Sequence, residues 1–416
     1  MRDLFAGRVA IRSSLLAVFV TLVVAPLAIT PYLHDDIPNR NWATQSIPNT
    51  VSTAWELNQQ WMTREGRFFP GGFAYGLTVF HVFDTRAAYM TLLLILNLAL
   101  IGLVAYVIHR LTRSAFIAAA SVLALGACLQ ARFGGLDTLQ SFGGLMQFSL
   151  ILTIAAGLAA AHILRTGRRA MVIPLVLVWA WAVTSYEVSL LMLPALVLLL
   201  WGCHGFRDRT RAAWAIGPLV IVAGAEVLIS MVLRAGATGS NPSYTTDMGG
   251  MVIPTFLKQF SAALPSSQYL MGTPSMRDMV PLTMIMLLGI AVALPTFLLW
   301  RPALGQGTSV PRRVSLSLIL SGAWAWALPA ALAGISIRWQ NDLQWGQGYI
   351  YSLYQYVGIA LVVAGALGLI ADRSATRGWR TAAIVVLALV CIGCTISVAS
   401  NITFAGQFVS GPQGPG

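Results

Sequence analysis

Residues 87–108 read AAYMTLLLILNLALIGLVAYVI and carry no charged side chain. A helix needs about 20 apolar residues to cross the hydrocarbon core of a bilayer, so this run is long enough to span a membrane. Of the 416 residues, 57% are hydrophobic and only 10% are charged, whereas soluble domains have roughly 25% charged residues. The sequence therefore predicts an all-α polytopic membrane protein and excludes the soluble, fibrous and disordered classes.

Ten further apolar runs accompany this one, which predicts about eleven transmembrane helices in a single transmembrane domain, 1–416. The other runs are 14–33, 115–129, 145–164, 170–184, 188–203, 213–233, 279–300, 314–335, 354–370 and 381–400. The pair within 170–203 is ambiguous, because this segment is too long for one helix and short for two. Its polar break is at residues 184–187.

The arginines indicate how the chain is oriented, because short cytoplasmic loops retain basic residues. Clusters at 165–169 and 207–211 flank the ambiguous pair. Both clusters favour the cytoplasm, so an even number of crossings separates them, and two helices are favoured. We expect a cytoplasmic N-terminus and an external C-terminus. The near absence of lysine, with Lys258 as the single example, is typical of a GC-rich bacterial genome, so the expected location is the bacterial inner membrane.

The net charge of +12 would favour a nucleic-acid partner in a soluble protein. Here the basic residues follow the membrane topology, so we expect membrane lipid and no nucleic acid. The four cysteines lie within or at the ends of apolar runs, and they indicate neither a disulfide framework nor a zinc site.

Two predicted outer loops, 34–86 and 234–278, are longer than a connection between helices needs, and long loops are often functional. Within the first loop, 51–61 is amphipathic and carries Trp55 and Trp61. Indole rings favour the membrane interface, so we expect this helix to lie along the outer leaflet.

The first loop also concentrates chemically useful side chains. Asp35 and Asp36 stand directly after the first apolar run, where a carboxylate suits proton abstraction and a carboxylate pair suits a divalent cation. Further along, Arg64 and Arg67 flank Gly66. Guanidinium groups match phosphate geometry, and glycine permits a sharp turn beside a ligand.

These features together resemble the GT-C superfamily of integral membrane glycosyltransferases. The resemblance rests on the acidic pair after the first span, the long loop with its interfacial helix, the Trp61-x4-Gly66-Arg67 stretch and the number of spans. The aromatic stretch YIYSLYQY at 349–356 is also similar to sequences in bacterial relatives. The chain has Asp-Asp where the superfamily often shows Asp-Glu, so the identity of the catalytic acid stays open.

The resemblance implies an inverting enzyme that transfers a sugar from a polyprenyl-phosphate donor to a cell-envelope glycan, lipid or protein acceptor on the outer face. Asp35 or Asp36 is then the general base, and the pair is the site of a divalent cation, Mg²⁺ or Mn²⁺, if one is used. The expected phosphate-binding residues are Arg67, Arg64 and Arg338. The expected substrate-binding residues are Trp61, Glu187, Tyr349 and Tyr351.

Two other functions stay open. A transporter or flippase of lipid-linked glycans would carry ionisable residues and broken helices near the middle of the membrane, and Glu226 fits that description. The second open function is that of a non-catalytic membrane protein that takes part in envelope assembly.

Overall fold

A computed structural model describes residues 21–33, 36–45, 50–131, 139, 142–239, 246–271, 310–349, 351–372 and 377–410. These residues form α-helices joined by short loops and 3₁₀ turns, and within these ranges there is no strand beyond one isolated bridge, Thr246 to Ser336. The predicted all-α class is therefore confirmed for the described part of the chain.

The α-helices have the following bounds: α1 Asp36–Gln45, α2 Thr50–Glu65, α3 Pro70–Val82, α4 Arg86–Thr112, α5 Ala115–Cys128, α6 Leu145–Thr166, α7 Val172–Ser185, α8 Val188–Leu191, α9 Leu193–His204, α10 Arg209–Gly236, α11 Val252–Ala262, α12 Ser267–Met271, α13 Arg312–Ile335, α14 Ile337–Asp342, α15 Ser352–Asp372 and α16 Arg377–Ser410.

The predicted number of spans needs correction. Within the described ranges, six helices are long and apolar enough to cross a membrane, namely α4, α6, α10, α13, α15 and α16. The count rises to seven if one bent pair is a single span. Of the other predicted runs, 279–300 lies outside the described residues, and so does the first part of 14–33.

Three predicted runs form helical segments that are shorter than a full span. The run at 115–129 forms α5, a helix of 14 residues in which every residue from Phe116 to Cys128 is buried. The segment 170–203 forms two arms, Arg169–Ser185 and Val188–His204, bent by 119° at the predicted polar break. Neither arm reaches the roughly 20 residues that a perpendicular span requires.

The bundle has two chemically different ends. At the first, which we call the arginine end, the Arg211 side chain donates to the Arg165 carbonyl at 3.3 Å, and Arg169 lies over the Trp214 ring. The two arginine clusters thus lie at the same end of the bundle, and that this end faces the cytoplasm stays a prediction. We call the opposite end, where α4 and α6 begin and α10 ends, the loop end.

Several helices expose apolar rather than polar side chains. In α11, Ile253 is 70% exposed while Thr255 and Gln259 are fully buried. In α7, the exposed side chains Ile173 and Leu177 are four residues apart and form one stripe. A surface of this kind suits lipid, and it supports a multi-pass membrane protein.

Helices α13 and α15 approach each other closely at two glycines. A Cβ atom added to Gly322 would lie 2.5 Å from the Gly358 carbonyl oxygen, and one added to Gly358 would lie 2.7 Å from the Gly322 carbonyl oxygen. Small residues let membrane helices approach this closely, so these two glycines set the distance between the two spans.

Candidate functional site

The first loop folds back against the bundle at the loop end. The amides of Thr238 and Gly239, just after α10, donate to the carbonyls of Thr63 and Arg64 at 3.1 and 2.8 Å. Gly66 has a φ of +63°, and a Cβ atom there would lie 2.7 Å from the Cα of Arg234. Glycine is therefore required by both the backbone conformation and the close approach.

This turn directs Arg67 into an ion pair with Glu187 at the corner between α7 and α8. Arg67 Nε donates to Glu187 Oε1 at 2.5 Å, and Nη2 donates to Oε2. The guanidinium also lies 5.1 Å from the Trp61 ring centre and 4.9 Å from that of Phe69. Arg67 is 7% exposed, so a phosphate ligand could reach its fork only by displacing Glu187.

The Glu187 carboxyl responds to opposing effects. Burial raises the pKa of this carboxyl. The charge of Arg67, the hydrogen bonds that the carboxylate accepts and the charge of Arg234 lower it by more, so the net pKa lies below its ordinary value. Glu187 is consequently ionised at neutral pH, and the pair is a stable structural link between the first loop and the bundle.

Aromatic rings extend this contact across the loop end. Phe69 packs at 6.4 Å against Tyr186, which is 6.1 Å from Tyr351. Tyr351 contacts Tyr349 at 4.7 Å, and Tyr349 contacts Trp339 at 3.6 Å. We call this set the loop-end cluster, and its members are Trp61, Arg67, Phe69, Tyr186, Glu187, Trp339, Tyr349 and Tyr351. It brings together Trp61, Arg67, Glu187, Tyr349 and Tyr351, which the sequence assigned to one site.

Asp36 belongs to a second group. Its carboxylate accepts from the Tyr89 hydroxyl at 2.6 Å and from the Gly143 amide at 3.1 Å, and the residue is 0% exposed. Gly143 lies in a left-handed turn between Phe142 and Gly144, at φ values of 64°, 61° and 75° along the turn. The Tyr75 hydroxyl donates to the Gly143 carbonyl at 2.8 Å and fixes the turn from α3.

Helix α3 separates the two groups. Phe73 packs against Phe69 and Trp61 of the loop-end cluster, whereas Tyr75 bonds to the turn that holds Asp36. Side chains two residues apart project from nearly opposite sides of a helix. The structure therefore presents Asp36 and Arg67 on different sides of α3.

The predicted acidic pair is described only in part, because Asp35 and its neighbour His34 lie outside the described residues. Asp36 alone does not fit a divalent cation, since both its oxygens already accept hydrogen bonds in a buried setting. Within the described ranges, no three His, Cys, Asp or Glu side chains come together as a metal site.

The other predicted cations lie at the surface of the loop end. Arg64 is exposed at the end of α2. Arg338 lies 4.8 Å from the ring centre of its neighbour Trp339, and its Nε is 3.5 Å from an Asp342 oxygen. Arg234 is exposed next to Gly66 and acts electrostatically on Glu187.

Glu226 lies within α10 and is 5% exposed. Its Oε1 is buried and has no hydrogen-bond partner among the described residues. It also interacts electrostatically with Glu187. A buried carboxyl in a membrane-spanning helix is costly and is often functional.

Sequence reasoning missed Tyr89, Gly143, Tyr186 and Arg234. Tyr89 and Gly143 are 53 and 107 residues from Asp36, so no local pattern connects them with it. Tyr186 had a signal, because it stands beside Glu187 in the polar break. The sequence signal for Arg234 was weaker, because this residue only marks the boundary between an apolar run and a long loop.

No protein-family model matches this chain, and no curated protein matches it.

Proposed function

We propose that the protein is a membrane glycosyltransferase that moves a sugar from a polyprenyl-phosphate donor to a cell-envelope glycan, lipid or protein acceptor. The main supporting observation is the loop-end cluster. It joins aromatic rings and an ion pair to exposed arginines on a bundle whose helices expose apolar side chains. A donor with a lipid chain, a phosphate and a sugar needs these three environments next to one another.

In the proposed reaction, Asp35 accepts the proton of an acceptor hydroxyl as that oxygen bonds to the anomeric carbon of the sugar. The bond between this carbon and the donor phosphate oxygen breaks on the opposite face, and the phosphate leaves with the electron pair. The configuration is inverted. We assign the base to Asp35 because the Asp36 carboxylate is buried and already hydrogen-bonded.

The donor phosphate is assigned to Arg64, Arg234 and Arg338, whose side chains are exposed at the loop end. Arg67 becomes a positioning residue in this proposal, because Glu187 occupies its guanidinium fork. Trp61, Tyr349 and Tyr351 would provide faces for the sugar or the acceptor. The same proposal puts the loop end outside the bacterial inner membrane and the arginine end in the cytoplasm.

The decisive experiment is sugar transfer from a polyprenyl-phosphate donor by purified protein in lipid vesicles. Asp35→Asn should lower the rate about a hundredfold to ten-thousandfold, as expected for loss of a positioned base. Asp84→Asn is the matched control, because Asp84 is an exposed acid of the same loop, and it should keep the parental rate. Equal rates for the two variants would reject Asp35 as the base.

A second candidate function has its own observation. Discontinuous helices and buried acids are typical of transporters, and this chain has a 119° corner next to Glu187 and a buried Glu226. A flippase of lipid-linked glycans would move a labelled lipid across vesicles without transferring its sugar. Glu226→Gln would abolish that movement, whereas Asp35→Asn would not affect it.

A further inference from the structure

An apolar cleft of about 100 Å³ lies between α4, α6, α9 and α15. Its walls include Val107 and Leu111 of α4, Leu158 and Ala161 of α6, and Leu199 of α9. All five are only half-buried, whereas Val357 and Leu361 of α15 are buried and form the floor. The cleft is therefore open along one side to the surface of the membrane-spanning bundle.

Basic side chains surround this cleft where it approaches the arginine end. Arg165 is one helical turn beyond the lining residue Ala161, so both lie on one face of α6. On α9, the lining residue Cys203 stands between His204 and Gly202, whose carbonyl accepts from Arg313 at 3.0 Å. Arg165 and Arg313 both act electrostatically on His204, which is next to the lining residue Cys203 in the sequence.

Among the described residues, no acid balances the charge at this position. Arg165 and Arg313 are exposed, and neither forms an ion pair with an acid among the described residues. Arg211 differs, because Asp208 neutralises it at 2.9 Å. A hydrocarbon-lined cleft with unneutralised guanidinium groups at one end is complementary to a molecule with an apolar chain and an anionic head.

We propose that this cleft binds an anionic phospholipid from the leaflet at the arginine end. One acyl chain would lie against α4, α6, α9 and α15, and the phosphate would accept hydrogen bonds from Arg165 and Arg313. This site lies at the end of the bundle opposite the loop-end cluster. It does not depend on the proposed sugar transfer, and its test measures no transfer.

The test is native mass spectrometry of the full chain, released from nanodiscs of phosphatidylcholine with added phosphatidylglycerol. We expect preferential retention of phosphatidylglycerol. Arg165→Gln and Arg313→Gln should each lower that preference about fivefold, the contribution typical of one basic residue at an anionic membrane surface. Ala161→Phe should fill the cleft and lower retention of both lipids.

Matched controls separate a defined site from general attraction. Arg168→Gln and Arg312→Gln remove exposed charges next to the two proposed ligands, and Ala213→Phe adds a ring at an exposed position of α10. All three should behave like the parent. Equal retention of the two lipids, equal losses in test and control variants, or displacement of phosphatidylglycerol by inorganic phosphate would each overturn the proposal.

Because Arg313 also bonds to α9, its variant is judged by the ratio of the two retained lipids. A general loss of stability lowers the retention of both lipids and leaves that ratio unchanged. Arg165→Gln provides an independent test, since Arg211 bonds to the backbone carbonyl of residue 165, which the substitution preserves. An unchanged ratio in both variants would reject the assignment.

Discussion

Asp36 is a buried carboxyl group with two defined hydrogen-bond donors, so its contribution to stability can be measured directly. Tyr89→Phe removes the hydroxyl that donates to the carboxylate at 2.6 Å. We expect this substitution to cost about 2 kcal/mol, because removing one hydrogen-bond partner of a buried polar group costs about 1–3 kcal/mol. Chemical denaturation in detergent micelles would measure this loss.

The control is Tyr106→Phe on the same helix, where the tyrosine is 49% exposed. It should change stability by less than about 0.5 kcal/mol, as is usual for surface substitutions. If both variants were equally stable, the Tyr89 hydroxyl would not contribute to holding the Asp36 carboxyl group.

Glu187 gives the protein an acid-sensitive contact. Its folded-state pKa is lower than the ordinary value of 4.5, so the unfolded chain takes up this proton first as the pH falls. The stabilisation is therefore fully present above about pH 5, and it is lost as the pH falls through the folded-state pKa. The parent should lose more Tm between pH 5 and 3 than Glu187→Gln does.

Other carboxyl groups also titrate in this range, so the comparison needs a matched variant. Glu56 is an exposed acid on α2, and Glu56→Gln should retain the full acid-dependent loss of Tm. Arg67→Gln should reduce that loss, because it removes the charge that lowers the Glu187 pKa. Parallel melting curves for the parent and Glu187→Gln would contradict the sign of this shift.

At the scale of helices, the contact between α13 and α15 should be intolerant of any added side chain. Gly358→Ala would place a methyl group 2.7 Å from the Gly322 carbonyl oxygen. We expect a loss of about 1–3 kcal/mol, which is typical of overpacking. Thermal unfolding in detergent would detect the loss as a lower Tm.

Gly102 provides the comparison, since it lies on α4 and, among the described residues, no atom outside its own helical turn is within 4 Å of an added Cβ. Gly102→Ala should leave Tm unchanged or slightly higher, because alanine favours the helix more than glycine does. A Tm loss as large as that of Gly358→Ala would show that helical glycines matter here for a reason other than helix separation.

The elements also show what hydropathy can predict. Runs such as 87–108 and 213–233 became long helices because lipid contact requires a local excess of apolar residues, which the sequence displays directly. The run that became α5 looked the same, yet it is enclosed by protein and is too short to span. An apolar residue has the same hydropathy in either environment, so only the packing distinguishes the two.

For the candidate site, the sequence indicated which residues are chemically suited to function, but it indicated less well which side chains contact each other. It marked Trp61, Arg67 and Glu187 as functional candidates, but it assigned Arg67 to phosphate, whereas the structure pairs Arg67 with Glu187. The two residues are 120 positions apart, and neither side chain has a local pattern that specifies its partner. The polar break likewise predicted a corner at 184–187 but not its angle.

At the scale of the whole molecule, the orientation in the membrane is open to test. The positive-inside rule predicts that the arginine end faces the cytoplasm and that the tail after α16 is external. A cysteine introduced at Gly416 should react with an impermeant maleimide in intact cells. One introduced at Arg168, at the arginine end, should react only after the membrane is permeabilised.

The native cysteines set the background for this assay. Cys128, Cys391 and Cys394 are buried, and Cys203 is partly exposed. The two cysteines should therefore be introduced into the Cys203→Ala variant, in which this accessible thiol is removed. The reverse labelling pattern would place the loop-end cluster in the cytoplasm. It would remove the proposed access of Asp35 to an extracytoplasmic donor.

The backbone bonds between the first loop and α10 have a mechanical consequence. With 28 residues, α10 is about 42 Å long, and only 17% of its spanning window is buried by protein. A helix longer than the roughly 30 Å hydrocarbon layer accommodates the mismatch by tilting. Because protein covers little of α10, its neighbouring helices offer little resistance to such a tilt. Because the Thr238 and Gly239 amides donate to the carbonyls of Thr63 and Arg64, we expect tilting of α10 to displace the 61–67 turn, so that bilayer thickness would change the geometry around Arg67.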